Sequence, residues 1–442
     1  MSGLADRIRA AASAFRDESP IEASAGGAMG VPEMLGEIGA ALLDSSQATS
    51  DVEEILKRIA DRYARPELRV FVLPTLVLVE DPTTTPSQTS IFPANESALR
   101  LDQSDAVERL VRHSVRDRAT PESVISAITQ IRRTDSRFGP VLTVVGYTLL
   151  TVGFGMVLNP TVSALPIYFV LGVVVGTIVQ VGSRASTLSL ILPAFTAFAV
   201  TLLISLLIGP FVHDDVIRLV APSLVSFLPG LTLTVAAVEL TSGQMMAGAS
   251  RLVFGIARLG LLVFGVFVGV SVAGAPAPNG EAPVQLGAWA PWTGIALVAL
   301  GYYFFSAAPR RSLVWILYAL VVAYSAQLLG NLMLGPELSG LVGALLVIPA
   351  VNLAGRLKGA PSKGIMLTCA YWLLVPGAMG FIGLSNAASG TAGATGTILQ
   401  TFGSLIAIAI GMVLGAGLRR DATAIARGWH SVAKDEEEPR DD

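Results

Sequence analysis

Two proline-glycine pairs interrupt long apolar segments of this chain, and their residue types suit the binding of a polar ligand. Pro229-Gly230 and Pro376-Gly377 lie 147 residues apart, and Ser242-Gly243 and Ser389-Gly390, which close the same segments, repeat that spacing. Proline leaves one helical carbonyl without its amide partner, so in apolar surroundings the loosened backbone must line a cavity or contact a ligand. We predict that these residues line a binding site. The alternative is that they are packing kinks and ordinary turns.

Three further polar side chains stand in apolar surroundings. Partial desolvation favours the protonated form of a carboxyl, which makes Glu239 the candidate for proton coupling; the alternative is a carboxylate paired with Arg251. Arg258 could bind the carboxylate of a substrate, pair with Glu239, or extend to the membrane edge. Asn352 needs a partner across helices and joins the candidate substrate-binding residues.

The composition places these residues in an integral membrane protein. The chain has 442 residues, of which 52% are apolar and 14% charged, and its mean hydropathy is +0.64. A soluble globular protein rarely reaches these values. The formal net charge of −3 gives no indication of a nucleic-acid partner, and the single cysteine, Cys369, excludes an intramolecular disulfide. The motifs of hydrolases, zinc proteases and nucleotide-binding loops are missing, so we expect no enzyme, no cofactor and no metal.

The distribution of charge and hydropathy predicts a small soluble α+β domain followed by ten transmembrane helices. In the soluble part, Ser50 and Glu53 have the spacing of a capping box at a helix start, and Arg69 to Glu80 indicates a strand or strand pair bent at Pro74. We place the parts at 1–137 (soluble domain), 138–273 (five helices), 274–286 (external linker), 287–420 (five helices) and 421–442 (charged cytoplasmic tail). The spans lie near 139–158, 162–181, 188–211, 217–238, 245–273, 287–307, 313–331, 337–355, 365–384 and 394–418.

Basic residues predict the orientation of these spans. If the soluble domain is cytoplasmic, the inward loops hold nine basic residues and the outward loops hold only Arg218, which agrees with the positive-inside rule. The N-terminal sequence MSGLADRIRAAASAF lacks the apolar core of a secretory signal, so both termini are expected in the cytoplasm. Because each half has five spans, the halves must face opposite ways. Inverted repeats with matching broken helices are typical of secondary transporters, whose substrate lies between the repeats.

The chain resembles the bacterial threonine/serine exporters over nearly its full length. The resemblance rests on LGEIGAALLDSSQATSDVEEILKRIADRY in the soluble part, on FGPVLTVVGYTLLTVGFGMVL and PGLTLTVAAVELTSG in the first half, and on LVPGAMGF in the second. One departure is Leu240, which follows Glu239 where a glycine is expected. The resemblance implies export of threonine and serine across the cytoplasmic membrane, driven by the proton motive force.

Other readings stay open beside this one. The same scaffold could export another small metabolite, such as a dicarboxylate, or the chain could be a regulatory membrane protein that transports nothing. The expected partners are a small-molecule substrate, protons and the lipid bilayer, without nucleic acid. The oligomeric state is left open, with a homo-oligomer as one option.

Overall fold

The computed structural model describes most of the chain between residues 30 and 417. The described residues are 30–94, 98–182, 186–208, 214–274, 283–335, 338–357, 359–374, 376–388, 403–404, 406–415 and 417. The predictions for the N-terminal sequence, for Ser389 and Gly390, for most of the linker and for the charged tail lie outside these residues.

In the part predicted as the soluble domain, for which we keep that name, helices pack against one face of a small antiparallel sheet, and Phe71 and Ile91 are exposed on the other face. The elements of this domain are α1 (Val31–Asp44), α2 (Thr49–Arg62), β1 (Arg69–Leu73), β2 (Leu76–Asp81), β3 (Gln88–Pro93), α3 (Leu101–Asp117) and α4 (Pro121–Arg133). The strand order is β1-β2-β3, and Val77 of the central strand pairs with Val72 and Phe92. Because side chains alternate along a strand, Val70, Val72, Val77 and Val79 all face the helices and form the core with α1 and α2.

The start of α2 differs from the prediction. The helix begins at Thr49, with Ala48 as the N-cap residue, and no side chain of that residue can cap it. The spacing of Ser50 and Glu53 therefore does not make the capping box that the sequence suggested. The predicted bend at Pro74 is the turn of the β1–β2 hairpin.

The remaining helices are apolar. They are α5 (Pro140–Leu158), α6 (Ala164–Gly182), α7 (Ser186–Leu203, continued by a π-helical turn Ile204–Ile208), α8 (Val216–Ser223), α9 (Gly230–Thr241), α10 (Met245–Ala273), α11 (Ala290–Phe305), α12 (Leu313–Leu334), α13 (Ser339–Ala354), α14 (Lys363–Leu374), α15 (Pro376–Ala388) and α16 (Ile406–Gly415). Among the described residues, four helices are long and apolar enough to cross a membrane: α5, α6, α10 and α12. The protein is thus a mainly helical membrane protein.

The first predicted proline-glycine position interrupts a helix. Helices α8 and α9 are separated by residues 224–229, and Pro229 is the N-cap residue of α9, which starts at Gly230. Proline is tolerated at a helix start because the first turn has no intrahelical acceptor for its N–H. At the second position α14 ends at Leu374 and α15 starts at Pro376, with residue 375 outside the described residues, so the break at Pro376-Gly377 stays a prediction.

Helices α5 and α11 approach closely through two pairs of glycines. A Cβ atom on Gly153 would lie 2.6 Å from the Gly294 carbonyl oxygen, and one on Gly294 would lie 2.7 Å from that of Gly153. Gly146 and Gly301 form the second reciprocal pair, at 3.0 and 2.8 Å. Small residues allow helix backbones to meet in a membrane, where dispersion contacts drive helix association.

A similar contact occurs twice between other helices. Gly265 of α10 lies against the Ala194 carbonyl of α7, and Gly411 of α16 lies against the Leu341 carbonyl of α13. A Cβ atom on either glycine would collide with that carbonyl oxygen.

The soluble domain packs against one end of the helical bundle, which we call the domain end. The Leu101 amide donates to the Ser306 carbonyl at 3.1 Å, and the Arg137 guanidinium donates to the Ala308 carbonyl at 3.0 Å. Both carbonyls follow the last residue of α11. The start of α3 is therefore fixed to the end of a membrane helix.

Candidate functional site

The interrupted helices α8 and α9 contact α14 and α15. Helix α15 packs against α8, α9 and α10, and α14 packs against α9. Phe381 of α15 is fully buried in the same apolar cluster as Leu224 and Phe227, which lie in the first interruption. The structure thus brings Pro229-Gly230 and the helix that starts with Pro376-Gly377 into one region, which is the candidate site.

The interruption between α8 and α9 exposes backbone groups of opposite polarity. The first turn of α9 has N–H groups without intrahelical partners, and the last turn of α8 has carbonyl groups without intrahelical partners. These ends carry partial positive and partial negative charge, respectively. Pro229 is the N-cap residue of α9 and is buried, while Gly230 is half-buried. The arrangement suits a ligand that carries both a carboxylate and an ammonium group.

Arg258 lies at the level of the first interruption. With a rise of about 1.5 Å per residue, Arg258 is roughly 20 Å from the start of α10. Helix α9 runs antiparallel to α10, and Pro229 is about 18 Å from the end of α9, so the two residues lie at about the same height. One turn before Arg258, Gly255 packs against Pro229 and Leu233. The Arg258 Nε is buried, and within the part of the chain that the structure describes it has no hydrogen-bond partner. A guanidinium in this state is ready to bind an anion.

Tyr147 of α5 is a polar contact to the interruption that the sequence did not point out. Its hydroxyl donates to the Ser223 carbonyl at 2.7 Å and lies 2.9 Å from the Ser226 hydroxyl. The side chain is fully buried. It therefore ties the end of α8 and the following loop to α5. A hydroxyl within the apolar first span was the only sequence signal for this role.

Glu239 is at the domain end and pairs with Arg251, not with Arg258. Its carboxylate is fully buried, with one oxygen 3.1 Å from the Arg251 Nε. The other oxygen accepts the Thr49 amide at 2.9 Å. The structure therefore realises the ion pair that the sequence left as an alternative, and it adds a contact with the soluble domain.

Three other predicted residues lie away from the interruptions. Asn352 is near the end of α13, where its Oδ1 accepts from the Lys363 ammonium at 2.8 Å. Ser242 and Gly243 are exposed in the turn between α9 and α10, and Gly243 has a φ of +83° that favours glycine. These residues belong to the domain end, so the structure does not bring them together with Pro229 and Gly230.

A family model described as putative threonine/serine exporter matches residues 33–273. The chain belongs to this family. The exporter-family match extends from α1 to the end of α10, so it includes the soluble domain, the first interruption, Glu239 and Arg258. The break predicted at Pro376-Gly377 lies beyond it. No curated protein and no solved structure matches the chain.

Within the described residues, no group of three or more histidine, cysteine, aspartate or glutamate side chains is placed to hold a metal ion.

Proposed function

We propose that this protein is a secondary transporter that exports threonine and serine across the cytoplasmic membrane by proton antiport. The observation that carries the proposal is the buried Arg258 Nε, which has no hydrogen-bond partner among the described residues, at the level of the interruption between α8 and α9. A charge in this position is costly unless it serves a ligand or a partner. Family membership supports the substrate class.

Recognition of the substrate follows from the polarity of the site. Arg258 and the first turn of α9 would bind the carboxylate, because both present positive charge or N–H donors. The carbonyls at the end of α8 would accept from the ammonium group, and the break predicted at Pro376 would add the same kinds of backbone group from α14 and α15. The Ser226 and Tyr147 hydroxyls, which already bond at the interruption, would contact the side-chain hydroxyl that threonine and serine share.

Repeated contacts support an architecture of ten spans in two inverted repeats. Ala194 and Leu341, whose carbonyls receive the two equivalent glycines, are 147 residues apart, the same spacing as the proline-glycine pairs. The reciprocal glycine pairs between α5 and α11 are what a pseudo-two-fold axis between equivalent helices produces. In such transporters the site lies at the repeat interface near the midplane.

Glu239 is the proposed proton-coupling residue. It is a fully buried carboxylate in the helix that begins at the site, and it contacts both Arg251 and the soluble domain. A change in its protonation would weaken both contacts. With the orientation indicated by the basic loops, this end of the bundle faces the cytoplasm. Proton binding at Glu239 would therefore be linked to the access of cytoplasmic substrate to the site.

The test is efflux of labelled threonine, serine and a dicarboxylate from proteoliposomes under an imposed pH gradient. We expect gradient-driven movement of the two amino acids, and a loss of about 10- to 100-fold for Arg258→Ala, because a hydrogen bond to a charged group contributes about 1.5–3 kcal/mol. The matched control is Arg218→Ala, an exposed arginine of α8. Glu239→Gln should still exchange substrate but should not concentrate it.

Three results would contradict the proposal. Movement of the dicarboxylate alone would assign the scaffold another substrate. Equal gradient-driven transport by the wild type and Glu239→Gln would remove Glu239 as the coupling residue. If no compound moves, the protein is not a transporter of this class.

A further inference from the structure

Two carboxylates of the soluble domain lie at the start of membrane helix α14. The Ser362 amide, just before the helix, donates to the Asp105 Oδ1 at 2.8 Å. One turn further along α3, the Glu108 carboxyl lies against Gly364, where a Cβ atom would collide with it. The Asp105 side chain is 1% exposed and that of Glu108 is 16% exposed, so both acids are enclosed at the contact between the two parts.

Gln47 connects this contact with the first half of the bundle. The side-chain amide of Gln47 donates to the Glu108 carboxyl at 3.5 Å, and the backbone carbonyl of Gln47 accepts from the Arg251 guanidinium at 3.3 Å. Arg251 in turn pairs with Glu239 of α9. The loop between α1 and α2 therefore contacts both Glu108, which lies against the start of α14, and Arg251 of α10, at the end of the bundle that must open if substrate enters from this side.

We propose that Glu108 is a positioning residue whose protonation fixes the soluble domain against α14 and whose ionisation releases it, which makes the domain a pH-responsive gate over the site. Helix α14 packs against α9, which begins at the candidate site, so a movement of α14 would reach the site through that contact. The cytoplasmic orientation of this gate and its control of transport rest on the proposed function.

The charged groups around Glu108 come from each element packed against it. On α3 itself, Arg112 lies 3.8 Å from its Oε2, and Asp105 is occupied by Arg109 and by the Ser362 amide. On α14, Lys363 gives its ammonium group to Asn352 at 2.8 Å. From the α1–α2 loop only the neutral amide of Gln47 reaches it among the described residues.

The pKa of Glu108 is raised from 4.5 to about 7, chiefly because burial disfavours the charged carboxylate. Arg112 opposes this increase, Asp105 adds to it, and the Ser362 side chain and Gly364 backbone oppose it. When the domain separates, the carboxyl regains water and its pKa returns toward the ordinary value. A pKa that is higher in the docked state means that docking is favoured at low pH and weakened as pH rises through about 7.

The experiment is hydrogen–deuterium exchange of the full-length protein in nanodiscs at several pH values, with correction for the intrinsic exchange rate. We expect the protection of a peptide covering 359–366 to fall about tenfold between pH 6 and pH 8. This factor follows from a Glu108 pKa of about 7 in the docked state and of 4.5 when the domain has separated. Glu108→Gln should remain protected across this range because it cannot ionise. Glu122→Gln, which changes an exposed carboxylate of α4, should behave as the wild type.

A second variant keeps the test informative if Glu108→Gln does not fold. Arg112→Gln removes the nearby positive charge, so it should shift the midpoint of the loss of protection to higher pH. Protection of the wild type that does not change with pH, or an identical pH response in Glu108→Gln, would overturn the proposal. A pH response without threonine or serine transport would uphold this contact and would refute the proposed substrate.

Discussion

The Glu239 carboxylate accepts the Thr49 amide at 2.9 Å, so a membrane helix caps a helix of the soluble domain. The N-cap residue of α2 is Ala48, whose side chain has no acceptor. A carboxylate at a helix N-terminus satisfies a free N–H and interacts favourably with the helix dipole. Arg251 balances the charge from the other side. The buried carboxylate of this ion pair therefore joins the bundle to the soluble domain, in addition to the contacts at Ser306, Ala308 and Ser362.

The first prediction concerns this ion pair. Arg251→Met leaves the fully buried Glu239 carboxylate without its counter-ion, so it should destabilise the protein by about 3 kcal/mol. The double variant Arg251→Met/Glu239→Gln should lose less than the sum of the two single changes, because no buried charge remains. Thermal unfolding in detergent measures these differences, with Arg218→Met as the control for loss of an exposed arginine. Strictly additive losses would show that the two side chains are not coupled.

The sequence predicted the features that depend on local residue types. The interruption at Pro229 and the hairpin turn at Pro74 follow from what proline does to a backbone, and each lies where it was expected. The break predicted at Pro376 stays a prediction, because residue 375 lies outside the described residues. The start of α2 was misjudged because its cap comes from Glu239, 190 residues away. No local pattern can indicate such a partner.

The candidate site was predictable to a similar extent. Arg258 stands out because a charge within an apolar stretch is rare, and its level along α10 agrees with the interruption. Asn352 stands out for the same reason, yet its partner is Lys363 at the domain end. Asp105 and Glu108 gave no signal, because carboxylates are common in a soluble helix. Which polar groups meet depends on helix packing, which hydropathy does not encode.

The second prediction concerns Tyr147. Tyr147→Phe removes the hydroxyl that bonds Ser223 and Ser226, so the interruption after α8 loses its link to α5. We expect a stability loss of about 1–2 kcal/mol and a clear decrease in the maximal rate of threonine efflux. Tyr324→Phe is the control, since this tyrosine of α12 packs edge-on against Trp292. Wild-type efflux by Tyr147→Phe would show that the link is structural only.

The third prediction separates Asn352 from the site. Asn352→Ala removes the acceptor of the Lys363 ammonium, so stability should fall by about 1 kcal/mol. The KM for threonine should stay within about twofold of the wild type, because a residue that does not touch the substrate makes no difference to its binding. Asn331→Ala, on the exposed side of α12, controls for loss of an amide. A tenfold increase in KM would return Asn352 to the binding site.

The last prediction tests whether the two halves are built alike. Gly265 and Gly411 each lie against a helix carbonyl, of Ala194 and Leu341, at equivalent places in the two halves. Valine at either position would force the helices apart, which typically costs about 1–3 kcal/mol. Because the local contacts match, we expect Gly265→Val and Gly411→Val to lower the unfolding temperature by similar amounts. Gly260→Ala, on α10 with no atom within 4 Å of the added Cβ, should be neutral or slightly stabilising. A large loss for one valine variant and none for the other would contradict the equivalence of the halves.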